Sequence, residues 1–264
     1  MESYEQWLKG KPELDILRLM GLFDRPAEKG AMDALRKEPA IQELTDALQK
    51  LRDAEWQYAV SNLRDLRLIA EQDPHEPDTL DCHPLLREHF GEKLKAEKEN
   101  AWREAHGRLY EYYKSAAKEF PDTIEEMAPL FAAVLHGCQA GRHQDALDEV
   151  YWRRIQRGEK FFNKVRLGAF GSELAVFSVF FDPPWSQPVV TLREGDKSFV
   201  LSEAAFGLRA LGRLAEAAQP MQAGLEADIA RQNLENAAIS ASNLCEIYLA
   251  IGNVERALNY ARQS

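Results

Sequence analysis

The sequence is short of the residues from which several kinds of site are built. Its three cysteines, Cys82, Cys138 and Cys245, are odd in number and far apart. That excludes a disulfide framework and a paired-cysteine zinc or redox motif, and it points to a reducing compartment, the cytoplasm. Positive charge is also scarce: 33 Lys and Arg against 43 Asp and Glu leave a formal charge of −10, spread over both halves of the chain. Non-specific affinity for nucleic acid comes from Lys and Arg displacing counterions, so nucleic acid is a poor partner for this chain. No apolar run approaches the ~20 residues of a membrane span. The run from Leu174 to Phe181 is short and is stopped by Asp182-Pro183-Pro184, so it reads as core and no membrane association is expected.

Catalytic signatures are missing as well. There is no glycine-rich loop ending in Gly-Lys-Ser/Thr to cradle a triphosphate, no His-Glu-x-x-His and no Gly-x-Ser-x-Gly. His83 and His89 lie six residues apart and would leave one helix on different faces, which is unsuited to a two-histidine metal site. Acidic pairs such as Glu125-Glu126 read as solvated faces. The expectation is a chain with no catalytic residues, no metal and no cofactor of its own.

What remains is a globular composition, 45% apolar and 29% charged, in a 264-residue chain long enough for two domains. Helical periodicity dominates. Leu14, Leu17 and Leu22 suit one helix, Leu44, Leu48 and Leu51 another, and Val60, Leu63 and Leu66 a third. Leu68-Ile69-Ala70 and Thr79-Leu80-Asp81-Cys82 then flank a turn at residues 73–77, the pattern of a small β-hairpin. Pro84 opens a further helix to about Lys95, and another runs from about Lys98 to Lys118 with Trp102, Ala105, Leu109, Tyr112 and Ala116 on one stripe. Three helices followed by a hairpin is the order of a winged helix. The fold class is therefore all-α with a minor β wing, divided as a winged-helix-like domain over 1–96, a connecting helix over 97–119, and helical repeats over 120–264.

The repeat aligns on Gly141, Gly212 and Gly252, each ending one apolar helix and opening another, and each followed five residues later by alanine: Ala146, Ala217 and Ala257. Glycine suits a left-handed turn, and alanine permits close helix approach. A degenerate hairpin is expected in the long first gap, within 156–181, and Pro220 is expected to kink its helix. Leu244, Cys245, Tyr248, Gly252 and Ala257 fall at the intervals of the tetratricopeptide family, and Ala204, Ala205, Leu208, Gly212 and Ala217 occupy the same places one copy earlier. The last 145 residues thus resemble tetratricopeptide repeats, an α-solenoid of helical hairpins, with a step of 40 residues in place of the usual 34 or so.

The segment Leu80-Asp81-Cys82-His83-Pro84-Leu85-Leu86 resembles the end of the winged-helix domain in signal-transduction ATPases of the NB-ARC and NACHT type, the STAND group. In that family a Met-His-Asp motif here holds ADP in the resting state. The resemblance carries that role to His83 alone, because Cys82 and Pro84 replace the flanking residues; the other reading is that His83 caps the junction between hairpin and helix. Winged helix then repeats is the order in bacterial members. The resemblance implies a regulatory and sensor segment of a larger ATPase, with ADP or ATP bound by the parent protein. On that expectation the last repeat either continues in the parent or self-associates.

In tetratricopeptide folds the first helix of each pair lines a groove for a protein or peptide. The positions implied are Ser202, Glu203, Phe206 and Arg209, then Ser242, Asn243 and Glu246, with Asn243 where the family often holds a peptide backbone. Seven aromatic residues from Phe161 to Trp185 read as core plus a packed loop. Two other readings are a free-standing adaptor that scaffolds proteins through the same groove, and a DNA-binding regulator reading bases with Gln57, Asn62, Arg64 and Arg67.

Overall fold

A computed structural model describes residues 2–264. All regular secondary structure among these residues is helical. Contacts divide the chain into two units, one ending at Ala116 and the other starting at Ala117. No helix of the described residues is long and apolar enough to cross a membrane.

The first unit begins with α1 (Glu2–Leu8) and α2 (Pro12–Met20), which Pro12 opens at a position where a missing N–H costs nothing. Next come α3 (Lys29–Arg36), α4 (Asp53–Asp65), α5 (Pro84–Glu97) and α6 (Glu99–Ala116). α2 packs on α4 and α5, and α6 packs on α3 and α5, so the helix expected to connect two domains lies in the core of the first unit. Where α2 ends against α5 the backbones touch. A Cβ on Gly91 would sit 2.5 Å from the Gly21 carbonyl oxygen.

Two expectations change here. The helix expected around Leu44–Leu51 is a series of turns with one short 3₁₀ stretch, Leu48–Lys50, and α3 is a helix the periodicity did not mark. Leu44 and Leu48 are still buried, but side chains capture the backbone: Ile41 N–H donates to Thr45 Oγ1 (2.8 Å) and Glu43 N–H to Asp46 Oδ2 (2.6 Å). These bonds compete with the helical ladder. The expected hairpin is likewise reduced. Ala27 and Leu80 exchange two backbone hydrogen bonds (2.7 and 2.9 Å), Ala70 N–H reaches the Asp81 carbonyl (2.7 Å), and no strand forms among the described residues. Pro74 and Pro77 supply no N–H to extend the ladder.

The second unit starts with α7 (Ile124–Gln139), capped by Thr123, whose hydroxyl accepts from Glu126 N–H. α8 (His143–Asp145) runs on as a π-helix, Ala146–Gln156. Within 156–181, where a degenerate helical hairpin is expected, stand two short helices in contact, α9 (Phe162–Val165) and α10 (Phe170–Phe177). α11 (Glu194–Ala210), α12 (Leu214–Ala230) and α13 (Leu234–Ala250) follow, each of 17 residues, and then α14 (Val254–Ala261). Each packs on the next. α12 runs through Pro220 as one helix.

The same three-residue turn recurs between these helices. Gly141 (φ 79°), Gly212 (φ 73°) and Gly252 (φ 83°) are left-handed, and so is Gln232 (φ 58°) at the equivalent place between α12 and α13. In all four the next N–H turns back five residues, as Arg213 N–H does to the Leu208 carbonyl (2.9 Å) and Asn233 N–H to that of Asp228 (2.9 Å). Five residues beyond each turn stands a buried alanine: Ala146, Ala217, Ala237, Ala257.

Glutamine in this conformation carries a steric cost that glycine does not. Gln232→Gly is therefore expected to raise stability by about 0.5–1 kcal/mol, and Gly252→Ala to lower it by about 1 kcal/mol. Gly91→Ala, though favourable by helix propensity, is expected to cost about 1–3 kcal/mol because backbone atoms must move. Urea-unfolding midpoints of the three variants check all three signs.

Candidate binding groove

Three helices of the second unit present one stripe each to a common concavity of about 420 Å³. α11 gives Ser198, Phe199, Ser202, Ala205 and Phe206; α12 gives Pro220, Met221, Gly224 and Asp228; α13 gives Asn236, Ile239, Ser240 and Asn243. Each set repeats at helical spacing, which is why one face of each helix reaches the same space. The opposite faces supply the core, with Ala204, Leu208, Leu244 and Tyr248 buried. Phe206 and Ile239 remain 52% and 54% exposed, an apolar lining open to solvent.

Of the positions implied by the resemblance, Ser202, Phe206 and Asn243 line this groove. Arg209 and Glu246 form an ion pair (2.5 Å), and Arg209 also donates to Asn243 Oδ1 (3.1 Å). That bond holds the Asn243 amide with Nδ2–H₂ free to donate. Ser242 is exposed but does not line the groove. Glu203 is drawn elsewhere, into an ion pair with Lys164. Of the groove residues not named from sequence, Phe199 and Ile239 lie on the same stripes about a turn away from named ones, whereas Met221 is on α12, where none was named. Extending the periodicity would have found those on α11 and α13.

Lys164 anchors a buried polar cluster next to this face. Its side chain is 6% exposed and its amine lies 3.6 Å from Glu173 Oε1 as well as against Glu203. Phe161 and Phe206 flank the amine at 5.4 and 5.3 Å. Glu173 Oε1 also accepts from Asn163 Nδ2 (2.8 Å) and from the Tyr151 hydroxyl. Burial holds the Lys164 amine below the usual lysine range, against the opposing pull of Glu173, and the same burial pushes the Tyr151 phenol up. Phe177, Phe180 and Phe181 are core, whereas Phe161 is exposed.

Charge elsewhere along the groove is matched. Asp228 lies 3.5 Å from Arg231, whose guanidinium also reaches the Ser198 hydroxyl and the Glu194 carbonyl, tying α12 to α11. The lining therefore offers aromatic and aliphatic surface, hydroxyls and amides, with one paired carboxylate.

His83 belongs to the first unit. It is exposed and caps α5: its Nδ1 accepts from Leu85 N–H (3.2 Å), with Pro84 at the first helical position. Asn62, proposed for base reading, is held by Glu13 Oε1 (2.7 Å) and is not free to read bases. No group of three or more metal-ligating side chains occurs among the described residues. No protein-family model, curated protein or solved structure matches the chain.

Removing one partner from a buried ion pair leaves the other charge uncompensated, at a cost of about 3–5 kcal/mol. Lys164→Met is expected to destabilise the second unit by that order, and adding Glu173→Gln to regain at least about 1 kcal/mol by removing the stranded charge. Chemical unfolding of the single and double variants decides it: a double variant no more stable than Lys164→Met contradicts the assignment.

Proposed function

We propose that this chain is a non-catalytic recognition module whose second unit takes an extended polypeptide segment in the groove between α11, α12 and α13. The observation that carries this reading is the convergence of three helical stripes on one open concavity whose charges are already paired. An extended peptide needs hydrogen bonds for its backbone and a pocket for alternate side chains. Asn243 Nδ2, Ser202 and Ser240 supply the first, and Phe199, Phe206, Met221 and Ile239 the second. The fitting partner carries an aromatic or aliphatic anchor and has little charge near it.

The 17-residue helices joined by left-handed turns support the tetratricopeptide resemblance, here with longer helices than usual. The order of elements supports the further proposal that the chain is the sensor part of a STAND-type ATPase, its winged-helix-like unit passing on the nucleotide state of a parent protein. Such a segment acts by population shift: a partner that binds one arrangement more tightly favours it. On this reading His83 Nε2 faces the nucleotide, and ADP affinity of the parent protein falls in His83→Ala.

The groove is tested by selecting peptides from a random display library against the full chain. Selected peptides are expected to share an apolar anchor, and Phe206→Ala and Asn243→Ala each to weaken them about tenfold, the size expected of a contact worth about 1.4 kcal/mol. Peptides bound equally well by both variants would place recognition elsewhere.

A further inference from the structure

A second concavity, of about 380 Å³, lies in the first unit and is unrelated to the groove. One face of α3 (Lys29, Met32, Asp33, Arg36) and one face of α4 (Asp53, Trp56, Val60, Arg64) form two walls, and the segment from Pro77 to Leu80 forms the third. The floor is apolar: Met32, Trp56, Val60 and Leu80 are all buried. Over it stand the half-buried side chains of Arg36 and Arg64. Arg36 lies 4.0 Å above the Trp56 ring, and the Nε atoms of both Arg36 and Arg64 are shielded from solvent without a hydrogen bond.

Such an arrangement is costly without a ligand. A buried donor left unmade forfeits its hydrogen bond to water and gains nothing in return, and the penalty is larger for charged groups. Two planar guanidiniums on one wall-to-wall cavity match an oxyanion, which each can hold through paired N–H donors. The nearby carboxylates narrow the choice. Lys29 is taken by Asp78 (3.2 Å), which leaves Asp33 and Asp53 to balance Arg36 and Arg64. A polyanion would be repelled by these aspartates, whereas a ligand that pairs its oxyanion with a cationic donor satisfies both sets.

We infer that this cavity binds a small zwitterionic ligand, an oxyanion carried together with an ammonium group. The oxyanion meets Arg36 and Arg64 over the Trp56 ring, and the ammonium meets Asp33 or Asp53. The cavity volume admits a compound of amino-acid or amino-phosphate size. A phosphate and a carboxylate present the same recognition chemistry to the two arginines, so the choice between them is left to measurement.

Calorimetric titration of the full chain at fixed ionic strength, with phosphoethanolamine, glycine and inorganic phosphate as separate probes, tests this. Saturable binding is expected for phosphoethanolamine or glycine, whichever wins naming the oxyanion, with inorganic phosphate weaker because it lacks the ammonium. Arg36→Gln and Arg64→Gln are expected to weaken binding at least tenfold, and Arg103→Gln, on the exposed face of α6, to leave it unchanged. Asp33→Asn supplies a gain that misfolding cannot produce: it tightens inorganic phosphate and erases the preference for the zwitterion. The inference is overturned if no probe binds saturably, if the arginine variants bind as the parent does, or if a short DNA duplex competes for the same arginines more tightly than either zwitterion.

Discussion

In the second unit everything is timed by a left-handed residue followed, five positions on, by a buried alanine. The turn reverses the chain in three residues, and the alanine lets the next helix approach where a larger side chain would hold it away. Because Gly212, Gln232 and Gly252 stand 20 residues apart, α11 and α13 enter the stack in the same phase. Phe199 and Ile239, 40 positions apart, both line the groove. A 17-residue helix spans about 25 Å, which is length enough for several successive groove positions on each face. The groove is thus a consequence of the turn period before any groove residue is chosen.

That regularity also decides how charge is used. In a chain of net charge −10, an open groove would ordinarily be acidic. Here the charged groups nearest the groove serve as fasteners between helices: Arg209 with Glu246 across α11 and α13, Arg231 with Asp228 and on to α11, Lys164 with Glu203 and Glu173. What is left facing the cavity is aromatic, aliphatic, hydroxyl and amide. Recognition by such a lining draws on apolar burial and on short hydrogen bonds, and it is less sensitive to salt than recognition by a charged clamp. The first-unit cavity has the reverse composition, with two guanidiniums over an apolar floor, and on the inference drawn above its preference is set by Coulombic matching.

How far these features could be read from the residues depended on whether a local preference or a distant partner decided them. Three of the four turns were legible because glycine is the residue that left-handed backbone favours. The fourth was not, since Gln232 has no such preference and is held there by packing of α12 and α13. Leu44 and Leu48 are buried without being α-helical: burial follows from hydrophobicity, whereas the Thr45 and Asp46 side chains capture the backbone. Glu203 illustrates the opposite limit. Its neighbours Ser202 and Phe206 line the groove, but Lys164, 39 residues earlier, takes Glu203 into an ion pair. Asn62 is removed from base reading in the same way, by Glu13 from α2.

His83 shows how a helix cap and a ligand contact could be one device on the proposed reading. Ser, Thr, Asn and Asp are the favoured residues at a helix start, and any of them would satisfy the Leu85 N–H. Histidine does so through Nδ1, and accepting there requires the neutral ring to carry its proton on Nε2. The atom left pointing outward is then a donor, which is what a phosphate oxygen needs. A carboxylate cap offers no donor at all, and a hydroxyl donates from the same oxygen that accepts. A ligand oxygen at Nε2 selects the tautomer that caps α5, and a capped α5 presents Nε2 as a donor, so each favours the other. Because α5 packs on both α2 and α6, the start of that helix is a place from which such a preference would be felt through the whole first unit.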